Sequence, residues 1–277
     1  MLPGTTSFTQ STLGRGGPPV FRLGVSASYR PGEAAVRRAI ERGVNVFFCF
    51  GFDGQMTRVL RGALGRDRER FVVVTGAYNY VWWRQNPRRA LESRLRALRT
   101  DYIDVFLFLG VMKASEFTAG VRAELLTLRE EGRVRRVGVS THDRPFAGRL
   151  AAEGAAEGAM DTLMVRYNAA HRGAERDIFP HLDPHRPGII AYTATRWTAL
   201  LRPPKGWPPD QSPPDAGQCY RFVLSHPAVD VCLTAPRSVR ELDANLDALA
   251  RGPLDPDEMA YLRNFGDAVR GQRRWFM

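Results

Sequence analysis

The sequence has few cysteines and almost no lysine. Its three cysteines, Cys49, Cys219 and Cys232, form no Cys-x-x-Cys pair and have no histidine cluster around them. This spacing predicts neither a zinc site nor a disulfide framework, so we expect three reduced, buried thiols. The histidines show no accompanying carboxylate pattern either, and no metal is predicted.

Long apolar runs are also absent. No stretch reaches eighteen apolar residues, and residues 1–19 lack the apolar core of a signal peptide. We therefore expect a soluble cytoplasmic protein that does not enter a membrane.

The net charge of +11 suits an anionic partner, but the arginines are spread along the chain and only Lys113 and Lys205 are lysines. Nucleic-acid binding is therefore not expected, and the oligomeric state is left open.

What the sequence does contain is a strand-then-helix pattern that repeats eight times. Runs of β-branched and aromatic residues predict buried parallel strands at Phe21–Ala27, Val44–Phe50, Phe71–Ala77, Ile103–Leu109, Arg136–Thr141, Thr162–Asn168, Gly188–Thr193 and Val229–Thr234. Apolar residues at helical spacing predict helices at Gly32–Arg42, Met56–Leu64, Pro87–Leu98, Thr118–Glu131, Pro145–Glu153, Glu175–Leu182, Ala216–His226 and Ser238–Ala250.

Eight such units in 277 residues, close to the ~250 of one barrel domain, predict an α/β fold of the (β/α)8 or TIM-barrel type. We expect a single domain over residues 1–277, with residues 1–19 as a flexible N-terminal segment. Asp255–Gln272 is expected to form an extra C-terminal helix. The proline-rich segment Arg202–Pro214 is expected to be a loop on the catalytic face of the barrel.

Six segments of the chain, in order, resemble signatures of the aldo-keto reductases. They are Ala39–Asn45 (AIERGVN), Asp101–Asp104 (DYID), Glu130–Ser140 (EEGRVRRVGVS), Arg166–Asn168 (RYN), Ala191–Thr193 (AYT) and Pro236–Asn245 (PRSVRELDAN). The resemblance implies NADPH binding and hydride transfer to a carbonyl, with a tyrosine as general acid assisted by Asp, Lys and His. At the positions that match these four residues the chain has Phe48 for Asp, Asp53 for Tyr, Gly76 for Lys and Leu109 for His. The usual proton donor and its cation are therefore predicted to be missing.

The same resemblance implies a partly retained cofactor site. At the nicotinamide end Ser140 and Tyr192 match the family pattern, whereas Thr141 and Met164 replace an Asn and a Gln. The residues implied to contact the cofactor are Ser140, Thr141, Tyr192, Thr193, Arg237, Ser238 and Asn245. Arg237 and Ser238 match the pair that holds the 2′-phosphate, and a helix N-terminus beside an arginine is an anion site on physical grounds. Barrel-rim packing and helix capping are the structural alternative for Ser140, Tyr192 and Asn245.

Three residues are candidate acids or bases, because they follow predicted strands at the catalytic end of the barrel. Asp53 is either such a group or a turn aspartate before Gly54. Tyr78, or else Tyr80, is a candidate replacement for the missing phenol. His142 is the candidate that titrates near neutrality, or else a helix-capping residue.

The expected substrate pocket is mostly apolar. Its predicted residues are Phe48, Tyr80, Trp82, Trp83, Leu109 and Arg166, with the aromatic run after the third strand placed in a rim loop. Arg166 is expected to bind a substrate anion or to pair with a nearby acid.

Three hypotheses follow for the function. The first is an NADPH-dependent oxidoreductase with a non-standard proton donor. The second is a non-redox lyase, cyclase or isomerase on the same barrel, and the third is a catalytically silent protein that binds NADP(H) or another small molecule.

Overall fold

The computed structural model describes residues 7–49, 53–80, 83–153, 156, 158–183 and 185–272. The chain forms a closed barrel of eight parallel strands surrounded by helices, which confirms the predicted (β/α)8 fold. The strands, numbered along the chain, are β1 (Gln10–Thr12), β2 (Pro19–Phe21), β3 (Leu23–Ser26), β4 (Val46–Phe48), β5 (Val72–Tyr80), β6 (Trp83–Arg84), β7 (Ile103–Val111), β8 (Val134–Thr141), β9 (Thr162–Arg166), β10 (Gly188–Tyr192) and β11 (Val231–Thr234). All but β1, β2 and β6 belong to the barrel, which closes where β11 pairs with β3.

Helices follow the barrel strands within about two residues of the predicted bounds. They are α1 (Gly32–Glu41), α2 (Gly54–Leu64), α3 (Pro87–Leu98), α4 (Ala119–Glu130), α5 (Arg144–Ala152), α6 (Ala174–Asp177), α7 (Ala216–Ser225), α8 (Val239–Leu249) and α9 (Pro256–Gln272). The sixth is shorter than predicted: α6 ends at Asp177 and a 3-10 turn covers Phe179–His181. Pro180 lacks the N–H that would continue the helix. None of the helices described is long and apolar enough to cross a membrane.

Alternation along the strands separates two apolar layers. Side chains such as Val74, Leu107 and Ile190 point into the barrel, while their neighbours pack outward against the helices. Val137 and Val139 belong to the outer layer, so Ser140 at the end of β8 points inward. The same alternation directs Arg166 and Tyr192 into the mouth of the barrel, since Met164 and Ile190 two residues earlier lie in the inner layer.

Two predictions about irregular segments are wrong. Residues 1–19 are predicted to be flexible, but within the described part of this segment β1 pairs with β2 in an antiparallel hairpin at the N-terminal end of the barrel. The buried Asp230 carboxylate accepts a hydrogen bond from Gly14 N at 3.0 Å, which ties this hairpin to the barrel. The aromatic run after the third predicted strand was placed in a loop, but β5 continues to Tyr80 and pairs with β6. Its β-forming residues are stabilised by that ladder.

Candidate active site

The carboxyl ends of the eight strands surround one mouth, and strand register fixes which residues meet there. Tyr78 is the partner of Leu109 across β5 and β7, and Tyr192 is the partner of Arg166 across β10 and β9. Phe48 lies at the end of β4, beside β5. The mouth therefore gathers most of the residues predicted from sequence. Trp82 lies outside the described residues, as does the side chain of Trp83.

On the β4, β5 and β7 side the mouth is apolar. Phe48, Tyr78 and Leu109 are buried together in the inner layer of the barrel. Gly76 has no room for a side chain, because a Cβ atom there would lie 2.0 Å from the Leu107 carbonyl oxygen. With this backbone no lysine side chain fits at residue 76. That the four family catalytic residues are replaced at Phe48, Asp53, Gly76 and Leu109 stays a prediction.

Asp53 acts as the N-cap of α2. One carboxylate oxygen accepts from Gln55 N at 3.2 Å and the other accepts from Met56 N at 3.0 Å. Both oxygens thus satisfy N–H groups that the first turn of a helix leaves without partners. This geometry favours the structural alternative for Asp53 over the predicted acid or base.

Tyr78 follows Gly76 by two residues on β5 and is the register partner of Leu109, two of the positions that the resemblance gives to catalytic residues. Its ring stacks on that of Tyr80, with centroids 5.3 Å apart and planes within 1°. Burial raises the pKa of the Tyr78 phenol, Tyr80 adds to this rise, and the guanidinium of Arg94 opposes it. Arg94 comes from α3 and is itself buried, which lowers its pKa. Sequence reasoning missed Arg94, because on α3 it is one of many helical arginines.

The β8, β9 and β10 side is polar. The Tyr192 hydroxyl lies 3.3 Å from both ring nitrogens of His142, and the two rings meet edge to face. Burial raises the pKa of Tyr192, against the opposing effects of Arg166 and of a hydrogen bond with Ser140. Burial and then the charge of Arg166 lower the pKa of His142. At pH 7 the imidazole is therefore neutral, and the phenol keeps its proton.

Two threonines predicted to contact the cofactor have structural partners. Thr141 Oγ1 donates to Val111 O at 2.9 Å and accepts from Asp143 N at 2.9 Å. Thr193 Oγ1 donates to Tyr192 O at 2.7 Å, and its φ of +60° is in the left-handed region. These hydroxyls hold the strand ends in place, whereas Ser140 points into the mouth and forms a hydrogen bond with Tyr192.

The predicted phosphate-binding end lies at the start of α8. Ser238 is the N-cap, and its hydroxyl accepts from Glu241 N at 3.1 Å. Arg237 is exposed, with its guanidinium 5.9 Å from the ring centre of Tyr29. Asn245 is buried and donates through Nδ2 to Thr234 Oγ1 at 3.2 Å, a contact that leaves its carbonyl oxygen as an acceptor. An exposed arginine beside a helix N-terminus fits a phosphate group.

Comparisons with known proteins identify the family. The model of the aldo/keto reductase family matches residues 23–204, and the chain belongs to that family. A methylglyoxal reductase of Escherichia coli (strain K12) is 30% identical over 191 residues, which is 67% of this chain and 66% of the relative. A methylglyoxal reductase of Yersinia pestis is 30% identical over 136 residues, 48% of each chain. The matches thus span less than two thirds of the length of each relative.

Solved structures agree on the fold. An aldo-keto reductase from Bacillus halodurans in its holo form superimposes with a TM-score of 0.75 at 18% identity, covering 96% of this chain and 99% of the other. An aldo-keto reductase from Klebsiella pneumoniae in complex with NADPH gives a TM-score of 0.72 at 25% identity, covering 97% and 99%.

Proposed function

We propose that this protein binds NADP(H) at the barrel mouth and reduces small aldehydes and dicarbonyl compounds, with Tyr78 as the proton donor. Family membership and an NADPH-bound structural neighbour support the cofactor. The residues present fit it, since Arg237 and the start of α8 suit the phosphate, and Ser140 and Tyr192 point into the mouth. The names of the two relatives, both methylglyoxal reductases, support the substrate class.

The observation that carries the proposal is the position of Tyr78. Its phenol is buried beside Phe48 and Leu109, and among the described residues Arg94 is the cation that acts on its pKa. When bound, NADPH supplies a hydride to the carbonyl carbon. The carbonyl oxygen then needs a proton, and an alkoxide is a stronger base than a phenolate even when burial raises the phenol pKa. Arg94 stabilises the phenolate that remains until solvent returns the proton.

The test compares two phenols that stack on one another. Tyr78→Phe should lower NADPH-dependent turnover of methylglyoxal by about 100-fold or more, since a positioned acid contributes that much. Tyr80→Phe removes the neighbouring, half-exposed phenol and should leave turnover within about twofold of the wild type, because Arg94 acts on the pKa of Tyr78 but is not among the causes that shift the pKa of Tyr80. Equal turnover in Tyr78→Phe and wild type would contradict the assignment of the donor.

Cofactor binding is measured separately from turnover. Titration with NADPH, followed by tryptophan quenching and by heat, should show binding that weakens about tenfold in Arg237→Ala through loss of a charge-assisted phosphate contact. Binding without turnover of any carbonyl compound would instead identify a silent NADP(H)-binding protein. Absence of binding at millimolar cofactor would refute the proposed reductase.

A further inference from the structure

The side of the mouth formed by the ends of β8, β9 and β10, the basic half, contains His142 and His171 with several arginines near them. Burial lowers the pKa of His171 most, and the positive charges of four arginines lower it further, to about 3. In order of decreasing effect these are Arg166, Arg196, Arg270 and Arg144. Arg166 also acts on His142, whose pKa is lowered. Two histidines kept neutral next to arginines provide hydrogen-bonding groups without adding further positive charge.

Two exit loops hold these groups together. Asn168, fully buried, donates through Nδ2 to Thr193 O at 2.9 Å and accepts through Oδ1 from His171 N at 2.9 Å. The loop after β9, which carries His171, is thus joined to the loop after β10. Arg196 in that second loop donates to Val269 O at 2.9 Å, next to Arg270 on α9. The three segments converge from separate parts of the chain.

The loop after β10 is also strained. Thr193, Arg196, Trp197 and Thr198 all have φ between +49° and +68°, the left-handed region that disfavours residues with a Cβ atom. Strain of this kind persists only where surrounding structure imposes it, and it clusters at ligand-binding sites. Arg196 in this loop is 1% exposed, and its hydrogen bond to Val269 O holds it against α9.

We propose that this side of the mouth, with Arg166 as its central group, binds the anionic group of the substrate, a carboxylate or a phosphate. The inference rests on the proposed reductase function and adds to it a preference for carbonyl compounds that carry an acid over uncharged ones. Arg166 is the group suited to direct contact, because its side chain enters the mouth at the end of β9, beside Tyr192. Arginine meets carboxylate or phosphate with two parallel hydrogen bonds. Arg270 adds positive charge near Arg166, whereas Arg144 is paired with Asp177 at 2.8 Å.

Direct binding is tested without turnover. Calorimetric titration with oxalate and with inorganic phosphate should show binding that weakens about tenfold in Arg166→Met. The exposed Arg270→Gln on α9, a milder change, should weaken it about threefold. The control Arg37→Met removes an equal charge from the exposed face of α1 and should leave the affinity unchanged. Binding lost in Arg237→Ala but kept in Arg166→Met would place the anion at the cofactor end and overturn the proposal.

Turnover supplies the second readout. The wild type should prefer glyceraldehyde 3-phosphate over glyceraldehyde in kcat/KM, and Arg166→Met should reduce this preference about tenfold. Reduction of carbonyl compounds with no preference for the charged member would overturn the subsite and leave the reductase intact. Binding of anions that depends on Arg166, without any NADPH oxidation, would support the subsite and reject the reductase.

Discussion

The ends of β4, β5 and β7 present Phe48, Tyr78 and Leu109 to the mouth of the barrel, whereas the ends of β8, β9 and β10 present Ser140, Arg166 and Tyr192. Both halves are built from the ends of parallel strands, but Tyr78 lies among apolar side chains, whereas Tyr192 and His142 lie near Arg166. A phenol among apolar side chains is poorly solvated, so burial raises the pKa of Tyr78, and the charge of Arg94 opposes only part of this rise. On the β8, β9 and β10 half, the charge of Arg166 lowers the pKa values of His142 and His171 and opposes the rise in the pKa of Tyr192.

The barrel fixes where side chains lie at the mouth, but the residues around each side chain determine its chemistry. Two mouth-facing phenols, Tyr78 and Tyr192, both have raised pKa values because both are buried, yet different cations act on them, Arg94 in one case and Arg166 in the other. We assign proton donation to the apolar half and recognition of a charged substrate to the basic half. Each of the following changes acts on one half.

The largest effect is expected at Gly76, beneath the apolar half. In Gly76→Ala the new Cβ would lie 2.0 Å from Leu107 O and 2.9 Å from Leu109 Cγ, so β5 and β7 must separate. We expect a loss of about 3 kcal/mol in the free energy of unfolding, as for severe overpacking. Urea denaturation of purified protein measures it.

Gly62→Ala is the matched control for this change. Gly62 is exposed on α2, and an added Cβ would contact nothing within 4 Å. Replacing a helical glycine there should stabilise the protein by about 0.5 to 1 kcal/mol. If Gly76→Ala unfolds at the same urea concentration as the wild type, the strands tolerate a side chain at residue 76. The absence of a lysine at residue 76 would then reflect the amino-acid sequence and not a lack of space between the strands.

Asp53 gives the next largest effect and separates capping from catalysis. Asp53→Ala should cost about 1 to 2 kcal/mol of stability, because the N–H groups of Gln55 and Met56 lose their acceptors. Asp53→Asn keeps one of the two acceptor oxygens, so it should cost less than about 1 kcal/mol of stability and retain NADPH-dependent turnover. An Asn variant that folds normally but no longer turns over would restore Asp53 to the catalytic groups.

Most of the fold was predictable because the periodic patterns are strong and local. Helix bounds agree where caps stand in the sequence, as at Asn86 before Pro87 and at Ser238. The hairpin of β1 and β2 was missed, since pairing across the base of the barrel depends on contacts such as Gly14 with Asp230 that lie 216 residues apart. Strand β5 runs three residues beyond the predicted end at Ala77, where residues 79 and 80 pair with β6.

The site was less predictable than the fold for the same reason. Strand ends predict Tyr78, His142 and Tyr192 at the mouth, and the structure has Tyr78 and Tyr192 at the ends of β5 and β10 with His142 beside Tyr192. Nothing local marks Arg94 or Arg196 among forty basic residues. Their roles arise from tertiary packing of α3 against β5 and of the β10 exit loop against α9. The capping function of Asp53 was an open alternative in the sequence, and the hydrogen-bond geometry favours it.

The smallest effect is a pH dependence that comes from the basic half. The folded-state pKa of His171 is lowered to about 3 from an unfolded value of 6.5, by burial and then by Arg166, Arg196, Arg270 and Arg144. The unfolded chain therefore binds a proton first as the pH falls, so stability is full above pH 6.5 and declines between 6.5 and 3. Because the ring is partly solvated, we expect protonation of His171 to lower the free energy of unfolding by only about 1 kcal/mol between pH 7 and pH 5. His142 and His226, whose pKa values are also lowered, add to the loss in the wild type. Urea denaturation at both pH values should therefore show a loss that is smaller by about 1 kcal/mol in His171→Asn than in the wild type, because the variant keeps a polar side chain that does not titrate. If wild type and variant lose the same free energy, the arginines do not surround His171 closely enough to exclude its proton, and the contrast between the two halves of the mouth is weaker than the structure indicates.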